Sequence, residues 1–320
     1  MKQIFLTAGT LLLFALIILF PGVILEGAQA GLLLWFNTVL PALLPFLILS
    51  NLLLGSPAIQ CLARFTGRFL RPLFGVSDYG SYVMLTGFLC GYPMGSKTAA
   101  DLTRAGRISL EEGQYLLSFC NNTSPMFVLG FVAIQCLQAP ALAPLSLLLL
   151  WIPPLLLSFL FRPRKSRRHP KECTVALRSS AFAKNQTVPG EIPGGIDNAI
   201  LDGFTAITRI GGYIILFSIL IQLMRLLPFR VSLPFRVLLA SLEVTNGAAL
   251  IGNLPLSFQT RFSLCMGMVS FGGWCSVAQT RSMIQGSGLS IFPYIIQKLA
   301  TAMVTSLLSF LMLSFCLSKT

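Results

Sequence analysis

Polar and charged side chains interrupt the apolar runs of this sequence at a few places, and these side chains are its candidates for chemistry. Lys97 and Asp101 follow the glycine-rich turn "CGYPMG". Their spacing of four places them on one face of a helix, where each can neutralise the other. Glu243 is the acidic residue of the apolar stretch "LLASLEVTNGAALIG". A buried carboxylate of this kind can bind a cation, a proton or a polar solute.

A second set of polar residues lies in "FCNNTSP", residues 119–125, inside a predicted membrane crossing. Pro125 lacks a backbone N–H, so we expect a kink or an unwound turn there. Asn121, Asn122 and Ser124 are then free to line a cavity. The alternative is that they satisfy backbone groups freed by Pro125, or bridge neighbouring helices.

The turn at residues 91–106 matches residues 273–288 without a gap, at an offset of 182. The aligned pairs are Gly91 with Gly273, Tyr92 with Trp274, Thr98 with Thr280, and Gly106 with Gly288. Gln279 takes the place of Lys97 in the second copy. Each copy follows a long apolar segment and an amphipathic connector, which indicates an internal repeat.

The composition defines the elements that must position these residues. The chain has 320 residues, is 55% hydrophobic and 10% charged, and has a mean hydropathy of +0.80, values typical of an integral membrane protein. Its apolar runs predict six full crossings, at 4–25, 31–54, 116–137, 141–161, 198–224 and 291–317. The interrupted stretches 79–95 and 262–283 are predicted to be re-entrant, and their irregular backbone must face protein or a cavity.

The charge distribution predicts the topology. The net charge is +13, and eight of the 23 lysines and arginines lie between Arg162 and Lys184, next to an apolar run. Basic loops stay cytoplasmic and adhere to anionic lipid, so membrane topology rather than a nucleic-acid partner accounts for this charge. Both termini are then predicted to be cytoplasmic. The two copies have opposite orientations, as in the inverted repeats of many transporters.

Several chemistries are excluded or disfavoured. His169, the single histidine, lies in the basic loop, and the eight cysteines form no CxxC pair, so we expect no metal site, no Ser-His-Asp triad and no enzymatic activity. The turn "GYPMGSKT" comes close to a P-loop, but Ser96 stands where that motif requires glycine. We therefore expect no bound nucleotide triphosphate and no other cofactor.

Taken together, "CGYPMGSKTAADL", "FCNNTSP", "LEVTNG" and "FGGWCSVAQTRSMI" resemble the sporulation integral membrane proteins of the YlbJ type, within the nucleoside-recognition or Gate domain proteins. The resemblance covers about residues 31–317. It implies a bacterial inner-membrane protein related to the gate regions of nucleoside and ferrous-iron transporters and linked to building the spore cortex. It also implies that the tips and polar breaks surround a central site. The GTPase domain of the iron transporter is missing, which argues against GTP-driven pumping.

The predicted fold is an all-α polytopic membrane protein with two inverted-topology repeats, each carrying a re-entrant helical hairpin. The predicted units are an N-terminal helix at 1–30, a first repeat with a connecting helix at 31–161, a basic loop at 162–197 and a second repeat at 198–320. The predicted partners are the lipid bilayer, a small polar solute or ion, and possible further copies of the chain.

The predicted function is a solute pathway, which we take to accept a nucleoside or another small polar solute or ion. The alternative is a membrane scaffold or receptor without transport activity that remodels the envelope. The predicted solute-binding residues are Tyr92, Gly95, Lys97, Thr98, Asn121, Asn122, Ser124, Glu243, Asn246, Gln279 and Thr280.

Overall fold

A computed structural model of the chain describes residues 2–162, 195–228 and 232–317, and this part contains helices and turns but no β-strand. The α-helices are α1 (Lys2–Leu19), α2 (Pro21–Leu34), α3 (Leu40–Gly55), α4 (Ala58–Phe74), α5 (Asp78–Leu89), α6 (Met94–Arg104), α7 (Leu110–Cys120), α8 (Ala143–Leu160), α9 (Gly195–Met224), α10 (Leu233–Leu242), α11 (Val244–Gly252), α12 (Phe258–Phe271), α13 (Gly273–Met283) and α14 (Ile291–Leu317). Two π-helical segments, Trp35–Val39 and Phe127–Cys136, and a 3₁₀ turn at Pro140–Leu142 complete them. Most of the predicted basic loop, residues 163–194, lies outside the described residues.

Several helices are long and apolar enough to cross a bilayer. Within the described residues there are three such spans, Pro140–Leu160, Ile196–Met224 and Ile291–Phe315, and a bent pair, Pro21–Val39 with Leu43–Leu54, gives a fourth if it is one span bent by 56°. Large apolar side chains such as Leu156 and Phe315 are exposed on these helices, as lipid-facing positions require. The prediction of an all-α polytopic membrane protein is confirmed.

The predicted crossing at 116–137 is wrong as a single helix. Helix α7 ends at Cys120 and the next four residues have no helical structure. Helical structure resumes at Pro125 and continues into the π-helical segment Phe127–Cys136. Proline cannot donate to the helical ladder and its ring clashes with the preceding turn, so the unwinding expected at Pro125 is found just before it. The number of crossings, six in the sequence analysis, stays a prediction.

Both predicted tips are turns between two helices. Gly91 joins α5 to α6 with a φ of +83°, and Gly272 and Gly273 join α12 to α13 with φ of +84° and +80°. Side chains with a Cβ rarely adopt these angles, which explains why glycine occupies the three positions. The helices α4 to α7 and α11 to α14 surround the two tips in the same order. Their opposite orientation in the membrane stays a prediction.

Packing between the helices brings the tips to the centre of the molecule. Helices α5 and α6 pack against each other, α12 packs against α14, and α6 contacts α13 across the two predicted repeats. Helix α14 also packs against α7, so the break after α7 lies beside both tips. The polar segments of the sequence therefore converge, whereas the long apolar helices lie around them.

The Glu112 carboxylate, which lies outside the predicted crossings, links the start of α7 to the start of α5. We expect its loss to destabilise the fold. The Glu112 carboxylate accepts a hydrogen bond from the Ser77 backbone N–H at 2.5 Å, just before α5. Replacing Glu112 with alanine leaves that N–H without this partner, which costs about 1–3 kcal/mol. We expect a lower melting temperature for Glu112→Ala in a thermal unfolding measurement.

The matched control is Glu112→Gln, whose amide oxygen can still accept the bond. Burial raises the pKa of the Glu112 carboxyl, which shows that its charged form is poorly solvated. A neutral acceptor is therefore expected to keep the wild-type melting temperature. Equal loss in both variants would contradict the assignment of a simple acceptor role.

Candidate functional site

The first tip is held directly against the break after α7. The Tyr92 backbone N–H donates to the Asn122 carbonyl oxygen at 2.6 Å. A Cβ on Gly91 would lie 2.6 Å from the Ser124 backbone nitrogen, and a Cβ on Gly95 would collide with the Cys120 carbonyl oxygen. Gly91 thus allows the first tip to approach the break, and Gly95 allows α6 to approach the end of α7. The Tyr92 N–H and the Asn122 C=O, both freed from helices, pair between the tip and the break.

Asn121 links the two predicted repeats. Its amide Nδ2 donates to the Thr280 hydroxyl and to the Tyr294 hydroxyl, each at 2.9 Å. Its Oδ1 accepts from the Ser96 backbone N–H at 3.3 Å. With 1% of its surface exposed, this side chain uses both polar atoms inside the protein. Asn121 and Thr280, both predicted for the site, meet each other rather than a cavity.

Lys298 is the functional candidate that the sequence analysis left out of the site. Its ammonium donates to the Asn122 Oδ1 and to the Ser270 carbonyl oxygen, each at 3.1 Å, and the residue is 2% exposed. No salt bridge to it occurs among the described residues. The sequence did contain a signal for Lys298, because it is a single lysine inside the apolar span Ile291–Phe315. A charged side chain within a membrane span is costly unless protein groups accept its hydrogen bonds.

Glu243 is a buried carboxylate that begins a helix. Oε1 accepts from the Thr245 N–H at 3.0 Å, and Oε2 accepts from the Asn246 N–H at 2.9 Å and from its Nδ2 at 2.8 Å. These bonds make Glu243 the N-cap of α11, where the helix dipole also favours negative charge. Glu243 is 3% exposed, yet it lines a cavity beside both tips.

That cavity has a volume of about 410 Å³ and lies between the two predicted repeats. Four of the predicted site residues line it: Tyr92, Ser124, Glu243 and Gln279. Residues of the π-helical segment Trp35–Val39 and of the second one, Phe127–Cys136, complete its walls. The walls are mainly apolar, and the polar groups come from both tips, the break after α7, the start of α11 and the first π-helical segment. This arrangement is typical of a small-molecule site.

A comparison with curated proteins finds the sporulation integral membrane protein YlbJ of Bacillus subtilis (strain 168), which is 27% identical over 321 aligned positions that cover 90% of this chain and 77% of the relative. The chain is a relative of the YlbJ-type proteins. This similarity confirms the resemblance indicated by the tip and "FCNNTSP" motifs. Membership of the wider Gate domain group stays a prediction. No family model matches the chain, and no solved structure matches it.

Seven predicted site residues lie outside the cavity. They are Gly95, Lys97, Thr98, Asn121, Asn122, Asn246 and Thr280. Asn121, Asn122 and Thr280 belong to the hydrogen-bonded contacts around it. The Thr98 hydroxyl is buried and has no hydrogen-bond partner within the described part of the chain. Gly95 allows the backbone of α6 to lie close to the Cys120 carbonyl oxygen.

Lys97 and Asp101 form the predicted pair, but next to another helix rather than at the cavity. The Lys97 ammonium lies 2.7 Å from Asp101 Oδ2 and donates to the Asn51 Oδ1 at 2.8 Å. The two charged side chains are 14% and 20% exposed, which is neither full burial nor free solvation. Arg104 also contacts Asp101, so the aspartate receives two cations. This geometry favours a structural link between α6 and α3.

Asn246 connects the cavity to a second pocket. It lines a space of about 530 Å³ together with Arg225, Arg236 and Asn253, and its amide donates to Glu243 on the cavity side. The hydrogen-bonded pair Glu243 and Asn246 therefore has one member in the lining of each pocket. Among the described residues, no group of three or more His, Cys, Asp and Glu side chains could hold a metal ion.

Proposed function

We propose that this chain is a transporter-like membrane protein with a central site for a small polar solute. The observation that supports the proposal most strongly is the cavity of about 410 Å³, to which both predicted repeats contribute polar side chains. Tyr92 and Ser124 come from the first half of the chain, and Glu243 and Gln279 come from the second. A site shared by two halves can change its access when the halves move relative to each other.

The cavity walls favour a small organic solute with an apolar skeleton and polar edges. Phe127 and Phe131 line it, with ring centroids 5.1 Å apart, and can contact a flat ring. Tyr92, Glu243 and Gln279 offer a hydroxyl, a carboxylate and an amide for hydrogen bonds. The volume falls in the range of about 300–1,000 Å³ usual for sites that bind small molecules. A nucleoside or a solute of similar size fits this description, and we propose that class.

We propose that contacts between the two halves, formed by residues outside the cavity lining, close one side of the site. The Arg104 guanidinium donates to the Met283 carbonyl at 2.6 Å and to the Gln285 carbonyl at 3.2 Å. Gln114 and Ser290 exchange two hydrogen bonds, at 3.1 and 2.8 Å. We propose that these contacts must break for the solute to leave on this side of the protein.

The similarity to a sporulation protein supports a role in the membrane of a spore-forming bacterium. We propose that the chain lies in the inner membrane with both termini cytoplasmic, and that it moves its solute without acting as an enzyme. The basic loop provides cytoplasmic charge under this topology. A Gate-type arrangement of the two tips is part of the same proposal.

The test is uptake into proteoliposomes that contain the full chain, with a panel of nucleosides, amino acids and divalent cations. We expect saturable uptake of at least one organic solute, and its loss in Ser124→Phe, because the ring would fill the cavity. The matched control is Thr205→Phe on the exposed face of α9, which is expected to transport normally.

Two results would overturn the proposal. The first is folded wild-type protein that moves no solute of the panel, which would favour the scaffold alternative. The second is equal uptake by wild type and Ser124→Phe, which would place any pathway outside this cavity.

A further inference from the structure

Helix α4, Ala58–Phe74, presents three different faces along its length. The buried face carries Ile59, Ala63, Thr66, Gly67 and Phe74. A second, exposed face carries Phe65, Phe69 and Leu73, with Phe65 and Phe69 exposed by 66% and 65%. A third, exposed face carries Arg64, Arg68 and Arg71. At 3.6 residues per turn, the centres of these faces are roughly 120° apart around the helix axis.

Packing fixes the rotation of α4. Its buried face lies against α5, and a Cβ on Gly67 would collide with the Asp78 carboxylate, so the two helices are in close contact. The helix cannot turn to bury Phe65 and Phe69 without leaving this contact. The two exposed faces are therefore presented together, side by side, in the folded protein.

The two exposed faces determine where α4 lies relative to the bilayer. Arg64, Arg68 and Arg71 extend over about 10 Å of the helix axis, so a helix that crossed the membrane would place guanidinium groups in hydrocarbon. Phe65, Phe69 and Leu73 run along the same length, so a helix in water would expose a continuous apolar stripe. Both faces are satisfied when the axis lies along the membrane–water boundary.

The arginine face is not neutralised by acidic side chains of the described residues. The salt bridges in this part of the chain involve Lys97, Arg104 and Asp101, and none of the three α4 arginines. A fourth guanidinium, that of Arg162, lies against Gly75 at the end of α4. The boundary position places these cations at the depth of lipid phosphates. Guanidinium binds phosphate through paired N–H groups, which favours this anion over a neutral headgroup.

We propose that α4 is a binding surface for anionic phospholipids, with its aromatic stripe among the acyl chains and its arginines on the headgroup phosphates. The lipid is favoured over a soluble phosphate because the apolar stripe borders the arginine face along the helix. A soluble anion would use the arginines and leave Phe65 and Phe69 exposed to water. This inference does not depend on transport, so its test is independent of the test of the proposed function.

The test is native mass spectrometry of the full chain in detergent, titrated with phosphatidylglycerol or phosphatidylcholine. We expect preferential retention of phosphatidylglycerol at low salt. The triple variant Arg64→Gln, Arg68→Gln, Arg71→Gln is expected to lose about fivefold in this preference for each arginine removed. The triple lysine variant, which keeps the charge, is expected to retain most of it.

The matched control removes three charges from the basic loop, by Arg164→Gln, Lys165→Gln and Arg167→Gln. Because the basic loop also adheres to anionic lipid, we expect this control to lose some of the preference, but clearly less than the α4 glutamine variant. A preference that survives in the α4 glutamine variant, or a loss at least as large in the loop variant, would overturn the proposal. So would equal retention of both lipids by the wild type, or inorganic phosphate competing as strongly as phosphatidylglycerol. Melting temperatures of all variants in detergent identify any that fail to fold. If the glutamine variant fails to fold, the decisive comparison is between the lysine variant and the wild type, which are both expected to prefer phosphatidylglycerol.

Discussion

Glu243→Ala is expected to abolish solute uptake and to lower the stability of the protein. The alanine removes the one carboxylate of the cavity and leaves the Thr245 and Asn246 N–H groups without their cap. Loss of an N-cap costs about 0.5–2 kcal/mol, and unsatisfied buried donors raise this cost. We expect uptake to fall by at least about tenfold, which corresponds to roughly 1.4 kcal/mol of lost solute binding in the transition state.

Two further variants separate the structural and functional roles of Glu243. Glu243→Asp keeps a good N-cap residue, so its melting temperature is expected to be close to that of the wild type, although its carboxylate is withdrawn from the cavity. Glu243→Gln keeps the size of the side chain and removes its charge. Normal uptake by the glutamine variant would contradict a role for the charge in solute binding. A stable alanine variant would contradict the capping role.

Gly95→Ala is expected to prevent correct folding. The added Cβ would collide with the Cys120 carbonyl oxygen and lie 3.1 Å from the Asn121 Cα. Both obstacles are backbone atoms, so no side chain can move away to make room. Overpacking in a core costs about 1–3 kcal/mol and occasionally more, and we expect the upper end here. Thermal unfolding and gel filtration of the purified variant measure the effect.

The control for Gly95 is Gly212→Ala in α9. A Cβ at Gly212 meets nothing within 4 Å, and the position lies inside a helix. Alanine favours helix by up to about 1 kcal/mol over glycine, so this variant is expected to be as stable as the wild type or slightly more stable. If Gly95→Ala behaves in the same way, the first tip does not pack against the break as described.

The general architecture followed from simple signals in the sequence. Apolar runs of sufficient length predicted membrane helices, and the glycines at 91, 272 and 273 marked the two turns because few other residues adopt a positive φ. Pro125 predicted the interruption of the helix. These signals are local, so they could be read without knowing which helices are neighbours.

The composition of the site depends on contacts between distant segments, and here the sequence was less informative. Tyr92, Ser124, Glu243 and Gln279 were predicted and line the cavity. Lys97 was predicted for the site as well, but its ammonium donates a hydrogen bond to Asn51, which lies 46 residues earlier in the chain. No local pattern in the sequence indicated that partner. Lys298 was not predicted for the site, and a lone lysine in an apolar run does not reveal which acceptors face it.

The acceptors of Lys298 have a consequence for biosynthesis. Placing a lysine in a membrane span costs up to about 3 kcal/mol during insertion by the translocon. Asn122 and the Ser270 carbonyl, which receive this ammonium, both precede α14 in the chain and are synthesised before it. The last helix therefore gains its stabilising partners only when the earlier helices have assembled.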